Sequence, residues 1–124
     1  MIYNNKEYKV KFYRNSKNNG SLIEKYIDNL NIKERTKVYK YIEVLRTNRG
    51  VLDEPYSRHI KDKIRELRIV FSSKRYRIFY FTFINKNIVL LHAFLKKTQK
   101  TPVKEIKIAE ENYIDVINNP KLYE

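Results

Sequence analysis

Residues 64–95 hold three apolar runs separated by turns too short for anything but hairpins. IRELRIVF spans Ile64 to Phe71, YRIFYFTF spans Tyr76 to Phe83, and NIVLLHAFL spans Asn87 to Leu95. A Ser72-Ser73-Lys74 turn and an Asn85-Lys86-Asn87 turn break them. Parallel neighbours need a crossover of roughly a dozen residues, so these runs predict an antiparallel meander. Their β-branched and aromatic side chains suit a pleated, packed surface.

The other elements arrange themselves around that meander. YKVKFY, from Tyr8 to Tyr13, alternates and reads as a first strand, followed by a RNSKNNG loop. Ser21 with Glu24 forms a capping box that opens a helix through about Asn29. Asn31 with Glu34 opens a second helix, which carries Ile32, Val38, Ile42 and Leu45 and stops at Gly50. The pair predicts an αα-hairpin whose apolar stripes face the sheet. After a loop at Asp53-Glu54-Pro55 come the three strands. Thr101 is then expected to cap a last helix, with Pro102 at its first position, ending near Asn118 before Pro120. The order β-α-α-β-β-β-α is a single α+β domain over 1–124, with the helices expected on one sheet face.

Composition removes several function classes. There is no cysteine, so disulfide frameworks and cysteine-based zinc sites are excluded. His59 and His92 lack metal-ligand spacing, and no metal or cofactor is expected. No apolar run approaches the ~20 residues of a membrane span. The opening MIYNNKEYKV lacks the apolar stretch of a signal peptide, and a cytoplasmic protein is expected.

Charge is the informative quantity. The net charge is +13. Lys, Asn, Ile and Tyr are all favoured by AT-rich codons and supply much of the chain, so codon usage explains part of the lysine excess. It does not explain the distribution. Residues 61–107 hold 13 basic and 3 acidic side chains, against 14 basic and 11 acidic elsewhere. Nor does it explain Arg65, Arg68, Arg75 and Arg77, since arginine has few such codons. The guanidinium binds phosphate in two-point fashion, which lysine cannot do. A clustered basic zone is the electrostatic footprint of a nucleic-acid binder.

Strand alternation assigns faces. Glu66, Arg68 and Val70 share one side of their strand, opposite the core-like Leu67 and Ile69. Arg75 and Arg77 point with Phe79, and His92 points with Phe94 and Lys96. With aligned register, one face carries Arg68, Arg77, His92 and Lys96 around Phe94 or Tyr80. A one-residue slip would reverse a strand. Such a face suits single-stranded RNA, with cations tracking the backbone and rings stacking on bases. Lys61, Lys63, Arg65, Arg75, Lys97 and Lys100 extend the RNA-binding zone. It also suits cleavage at the RNA's own 2′-OH, which needs a base, charge stabilisation at phosphorus and an acid for the leaving oxygen. Arg68 and Arg77 fit the second role. A lysine crowded by cations has its pKa lowered and can exchange protons; Lys61, Lys63 and Lys96 are candidates. Glu66 and His92 are the more conventional bases. Each has a bland reading too: His92 as a hydrogen-bonded, partly buried residue, Glu66 as an arginine's ion-pair partner, Tyr80 as core. Several arginines on adjacent strands, however, are costly to place together without an anionic ligand.

The stretch from Ile64 to Ile117 resembles the C-terminal half of phage-derived HigB-like toxins in the RelE/ParE superfamily. The resemblance rests on ELR at Glu66 to Arg68, YRIFY at Tyr76 to Tyr80 and HAFLKKTQKTP from His92 to Pro102, followed by Glu105, Ile106 and Ala109. It covers about residues 58–117. It implies two N-terminal helices against a twisted antiparallel sheet, an mRNA endoribonuclease acting on the ribosome, and a cognate antitoxin, often of the helix-turn-helix kind. It also implies that Arg68, Arg77 and Lys96 or Lys97 hold the scissile phosphate. Some RelE-type enzymes carry a lysine where this chain has Glu66, and a C-terminal tyrosine that Tyr113 does not clearly match. The base therefore stays open among Glu66, His92 and Lys61 or Lys63. Two alternatives compete: a ParE-like inhibitor of DNA gyrase and an RNA-binding module without catalysis. No recognition-helix pattern for DNA stands out.

Overall fold

The computed structural model describes residues 7–124. Residues 1–6, on which the reading of the opening segment partly rests, lie outside them. The elements are β1 (Lys9–Phe12), α1 (Leu22–Asp28), α2 (Ile32–Thr47), β2 (Ser57–Lys61), β3 (Ile64–Phe71), β4 (Lys74–Phe83), β5 (Asn87–Lys96) and α3 (Val103–Asn118). The sheet order is β1-β5-β4-β3-β2. The pairs from β2 to β5 are antiparallel, while β1 runs parallel to β5, which the intervening helices permit. No helix among the described residues is long and apolar enough to cross a membrane.

The first two helices start where the caps require. Ser21 accepts a hydrogen bond from the Glu24 N–H at 3.3 Å, and Asn31 accepts one from the Glu34 N–H at 2.9 Å. Chain reversal after α2 needs Gly50, whose φ is 77° and whose N–H reaches back to the Leu45 carbonyl. A Cβ there would meet Thr82 Oγ1 at 2.5 Å, so both the backbone angle and the close approach demand glycine.

Three expectations are corrected. First, SRHIK forms a strand, β2, at the sheet edge. Its single apolar residue gave no alternation to read, and pairing with β3 forms it. Second, the helices do not share one sheet face. Val38, Ile42 and Leu45 of α2, with Ile23 and Ile27 of α1, pack on Leu67, Ile69, Ile78 and Tyr80. Ala109 and Val116 of α3 pack on the other side, against Phe79, Phe81, Val89 and Leu91. The meander is apolar on both sides, so each side needs a cover. Third, Thr101 does not cap α3. Pro102 occupies the cap position without a side-chain bond, and the Thr101 hydroxyl donates to Glu66 Oε2 at 3.1 Å instead. A buried carboxylate outcompetes a helix end that water can satisfy.

Candidate functional site

The α3 face of the sheet is a lattice whose rows follow from strand register. Arg58, Glu66, Phe79 and His92 stand opposite one another across β2 to β5. The next row is Arg68, Arg77 and Phe94, and the next is Val70, Arg75 and Lys96. Rows on one face lie about 6.6 Å apart and neighbouring strands about 4.8 Å. A bulge makes this arrangement possible. Phe79 pairs with His92 but Tyr80 pairs with Leu90, so Leu91 is an extra residue. Before the bulge the odd-numbered Val89 and Leu91 face α3; after it the even-numbered Phe94 and Lys96 do. An unbroken ladder would turn Lys96 away from Arg77.

The α3 helix covers the apolar part of this face and leaves its charged end to a cleft. Glu66 is fully buried, Arg77 is 5% exposed and Lys96 is 8% exposed. Glu66 Oε1 accepts from Arg68 Nε at 3.1 Å and lies 3.8 Å from Arg77 Nε. Arg77 Nη1 donates to the Tyr76 carbonyl at 3.1 Å, while its buried Nε has no hydrogen-bond partner. One carboxylate thus serves three crowded cations. Burial lowers the pKa of Arg77; Glu66 opposes this, and Arg68 and Arg75 add to it. Arginine keeps its proton in proteins, so the shift expresses the electrostatic cost of the cluster. Burial and then Arg77 likewise hold the Lys96 ammonium below its usual range, against the opposing pull of Glu66.

The cleft above the cluster encloses about 320 Å³. Glu66, Arg68, Lys96 and Lys100 line it, and Thr101 closes the α3 end. Five further lining residues are not marked as cleft residues by the sequence: Arg58, His59, Ile60, Gln99 and Ile106. The first three belong to β2, Gln99 sits in the β5–α3 loop and Ile106 belongs to α3. His59 Nε2 lies 2.6 Å from the Asp62 carbonyl. A carbonyl only accepts, so this contact puts the proton on Nε2 and leaves Nδ1 with a lone pair in neutral imidazole.

The remaining candidates lie elsewhere. Tyr80 cannot stack on a base. Alternation turns its ring into the α2-side core at 1% exposure, and its hydroxyl bonds Ser57 Oγ at 2.7 Å. Lys61 is not a lowered-pKa lysine, because Glu110 at 2.6 Å raises its pKa. His92 holds Glu105 of α3 at 2.7 Å, clusters with the rings of Phe79 and Phe94, and faces a hollow near Tyr13 and Tyr26 rather than the cleft. Lys63 and Arg65 line another hollow beside Gly50 and Thr82, with Arg65 Nε donating to Ser57 Oγ. Arg75 is half-buried opposite Lys96, and Lys97 is exposed just beyond β5. Tyr113 packs edge-on against Phe81, and Tyr123 is buried with its hydroxyl on the Arg14 backbone. No group of three or more His, Cys, Asp or Glu among the described residues is placed to hold a metal ion.

Comparison with curated proteins gave no match. The sequence profile of a family described as Phage derived protein Gp49-like (DUF891) matches residues 25–114. That span runs from within α1 through most of α3 and takes in every residue of the cationic cluster. The chain belongs to this phage-derived Gp49-like family, a toxin-like family of the RelE type.

Proposed function

We propose that the protein is the toxin of a toxin–antitoxin pair and an endoribonuclease that cuts messenger RNA on the ribosome. The observation that carries this reading is the buried Glu66–Arg77–Arg68–Lys96 cluster, in which a buried Arg77 Nε has no hydrogen-bond partner. Breaking even with such a cluster is hard, because the desolvation of each ion must be recovered. An RNA phosphate in the cleft would supply the missing negative charge.

In this mechanism the RNA backbone enters between Arg58 and Lys100. Arg68 binds the scissile phosphate, and with the charge of Arg77 buried beneath the cleft it stabilises the extra negative charge of the five-coordinate phosphorus. His59 Nδ1 accepts the 2′-OH proton, the 2′-oxygen bonds to phosphorus, and the bond to the 5′-oxygen breaks. The Lys96 ammonium, with its depressed pKa, gives that oxygen a proton. Glu66 orients both guanidiniums rather than meeting the substrate, since its side chain is 1% exposed. The products are a 2′,3′-cyclic phosphate and a 5′-hydroxyl. Lys97 and Arg75 extend the positive field, and no step requires a metal or cofactor. A cognate antitoxin, of the helix-turn-helix kind, restrains the activity in a cytoplasmic setting.

Primer extension on mRNA from cells briefly expressing the chain tests the reading, beside the Arg68→Ala/Arg77→Ala double variant. New 5′ ends inside translated regions, absent with the variant, are the expected result. Growth arrest with intact mRNA would move the function to gyrase inhibition. RNA binding without cut products would make the protein a non-catalytic binder.

A further inference from the structure

A groove of about 580 Å³ lies on the α2 side of the sheet, between α2 and the loop that leads to β2. One wall is a stripe of α2. Lys33, Lys37 and Lys40 recur there at the three- and four-residue spacing that places side chains on one helix face. Tyr41 and Val44 continue the stripe, and Leu52 and Tyr56 form the facing wall. The stripe is turned by one residue from the buried stripe of Glu34, Val38, Ile42 and Leu45, so the core does not account for it. Val44 is 40% exposed and Tyr56 52% exposed. Large apolar side chains left open in a concave surface mark an interaction site more often than they serve stability.

Charge decides what fits. Among the described residues, no acidic side chain lines the groove. Two acids of α2 are committed elsewhere, Glu34 to Lys74 at 2.8 Å and Glu43 to Arg46. Lys33, Lys37 and Lys40 form no ion pair among the described residues. Lys37 instead lies 5.9 Å from the ring centres of Tyr41 and Phe71.

We propose that this groove docks an acidic amphipathic segment of a partner protein. Its apolar side chains would sit on Tyr41, Val44, Leu52 and Tyr56, and its carboxylates would lie over the three lysines. This is the helix-in-groove mode, with charge steering the approach and fixing register. An RNA strand fits less well. The cations occupy one wall only, none is an arginine, and the facing wall is carbon. The groove lies on the other side of the sheet from Arg68 and Lys96. Docking there does not depend on what the cleft does.

The test is an amide-resolved NMR titration of the full chain with a synthetic peptide of about 15 residues. It carries Leu at helical i, i+4, i+7 and i+11 positions and Glu beside them. The comparison probes are the same peptide with Lys for Glu and a single-stranded RNA oligonucleotide. The expected result is saturable shifts confined to amides in 33–44 and 52–56, absent with the Lys peptide. Binding should weaken about tenfold in Lys33→Glu/Lys40→Glu, two exposed positions whose pairs are each of modest strength. Lys33→Gln/Lys40→Gln gives the same comparison, at about threefold, should charge reversal disturb the fold. Val44→Asp should abolish the shifts. Silence at those amides, equal binding to the charge-altered variants, or stronger shifts there with RNA would overturn the proposal.

Discussion

The two faces of one sheet are built from alternating residues of the same strands, yet they differ in kind. The face under α1 and α2 is apolar at its centre, with Leu67, Ile69, Ile78 and Tyr80 at 1% exposure or less. The face under α3 is apolar only where the helix lies. Past its first turn come Glu66, Arg68, Arg77 and Lys96. Both faces exclude water at their centres, so burial is not the difference. One face gains stability from every buried side chain. The other buries cations beyond what its single carboxylate balances, and well-packed apolar residues would serve stability as well or better there. Local sacrifice of stability of this kind is concentrated where chains do chemistry.

Neighbouring residues of β4 put the contrast to its sharpest test. Ile78→Ala should cost about 2–5 kcal/mol, by lost burial and a cavity. Arg77→Met, one position away on the opposite face, should be neutral or stabilising by about 1–3 kcal/mol. It should also slow mRNA cleavage by about 100- to 1,000-fold, the loss typical of one charge-stabilising donor. Urea unfolding and single-turnover cleavage read the two quantities. A large stability loss in Arg77→Met would make the cluster structural.

The Lys96 ammonium supplies a second, smaller discriminator. Its pKa in the folded chain lies below the ordinary 10.5, chiefly through burial. It therefore loses its proton at lower pH than a free lysine, and cleavage should decline along an alkaline limb that begins below 10.5. Lys96→Arg keeps a charge throughout and should move that limb upward. The linkage has a definite sign: the unfolded chain binds this proton more tightly. The folded state accordingly gains stability as pH rises from the lowered value to 10.5. An unmoved limb in Lys96→Arg would remove this residue from the proton transfer.

The smallest effect belongs to the tie between the β1–α1 loop and α3. Burial alone would raise the pKa of Asp115, but hydrogen bonds from Tyr13, Ser16 and Asn119 outweigh it and hold it below 3.8. Its stabilisation is present above that value and fades as pH falls through the lowered one. Asp115→Asn should cost about 1 kcal/mol at neutral pH and progressively less as pH falls below 3.8, read by thermal unfolding. The effect should leave cleavage untouched, because this tie is far from the cleft in the fold.

Legibility in the sequence follows the same division. The α2-side core was readable because periodicity in α2 and alternation in β3 and β4 report burial directly. The cationic cluster was readable from arginines that codon usage does not explain, and Arg68, Arg77 and Lys96 do meet on one face. What stayed hidden depends on tertiary contacts. The Leu91 bulge has no sequence signature, yet it aims Lys96. β2 carries one apolar residue, so no alternation marks Arg58 and His59 as strand residues. Tyr80 shares its strand face with Ile78, and that alternation puts it in the core rather than on an RNA-facing surface. Lys61 was read as a crowded cation because Glu110, 49 positions away in sequence, becomes its partner only in the fold.

The most direct measurement is the chemistry of the cut ends. Ribosomes translating a defined mRNA would be treated with the purified chain in EDTA-free buffer, and the ends mapped by enzymatic labelling. The account predicts 5′-hydroxyl and 2′,3′-cyclic phosphate ends with the wild type and about 100-fold fewer with Arg77→Met. Ends carrying 5′-phosphate and 3′-hydroxyl, or equal cleavage by Arg77→Met, would contradict it.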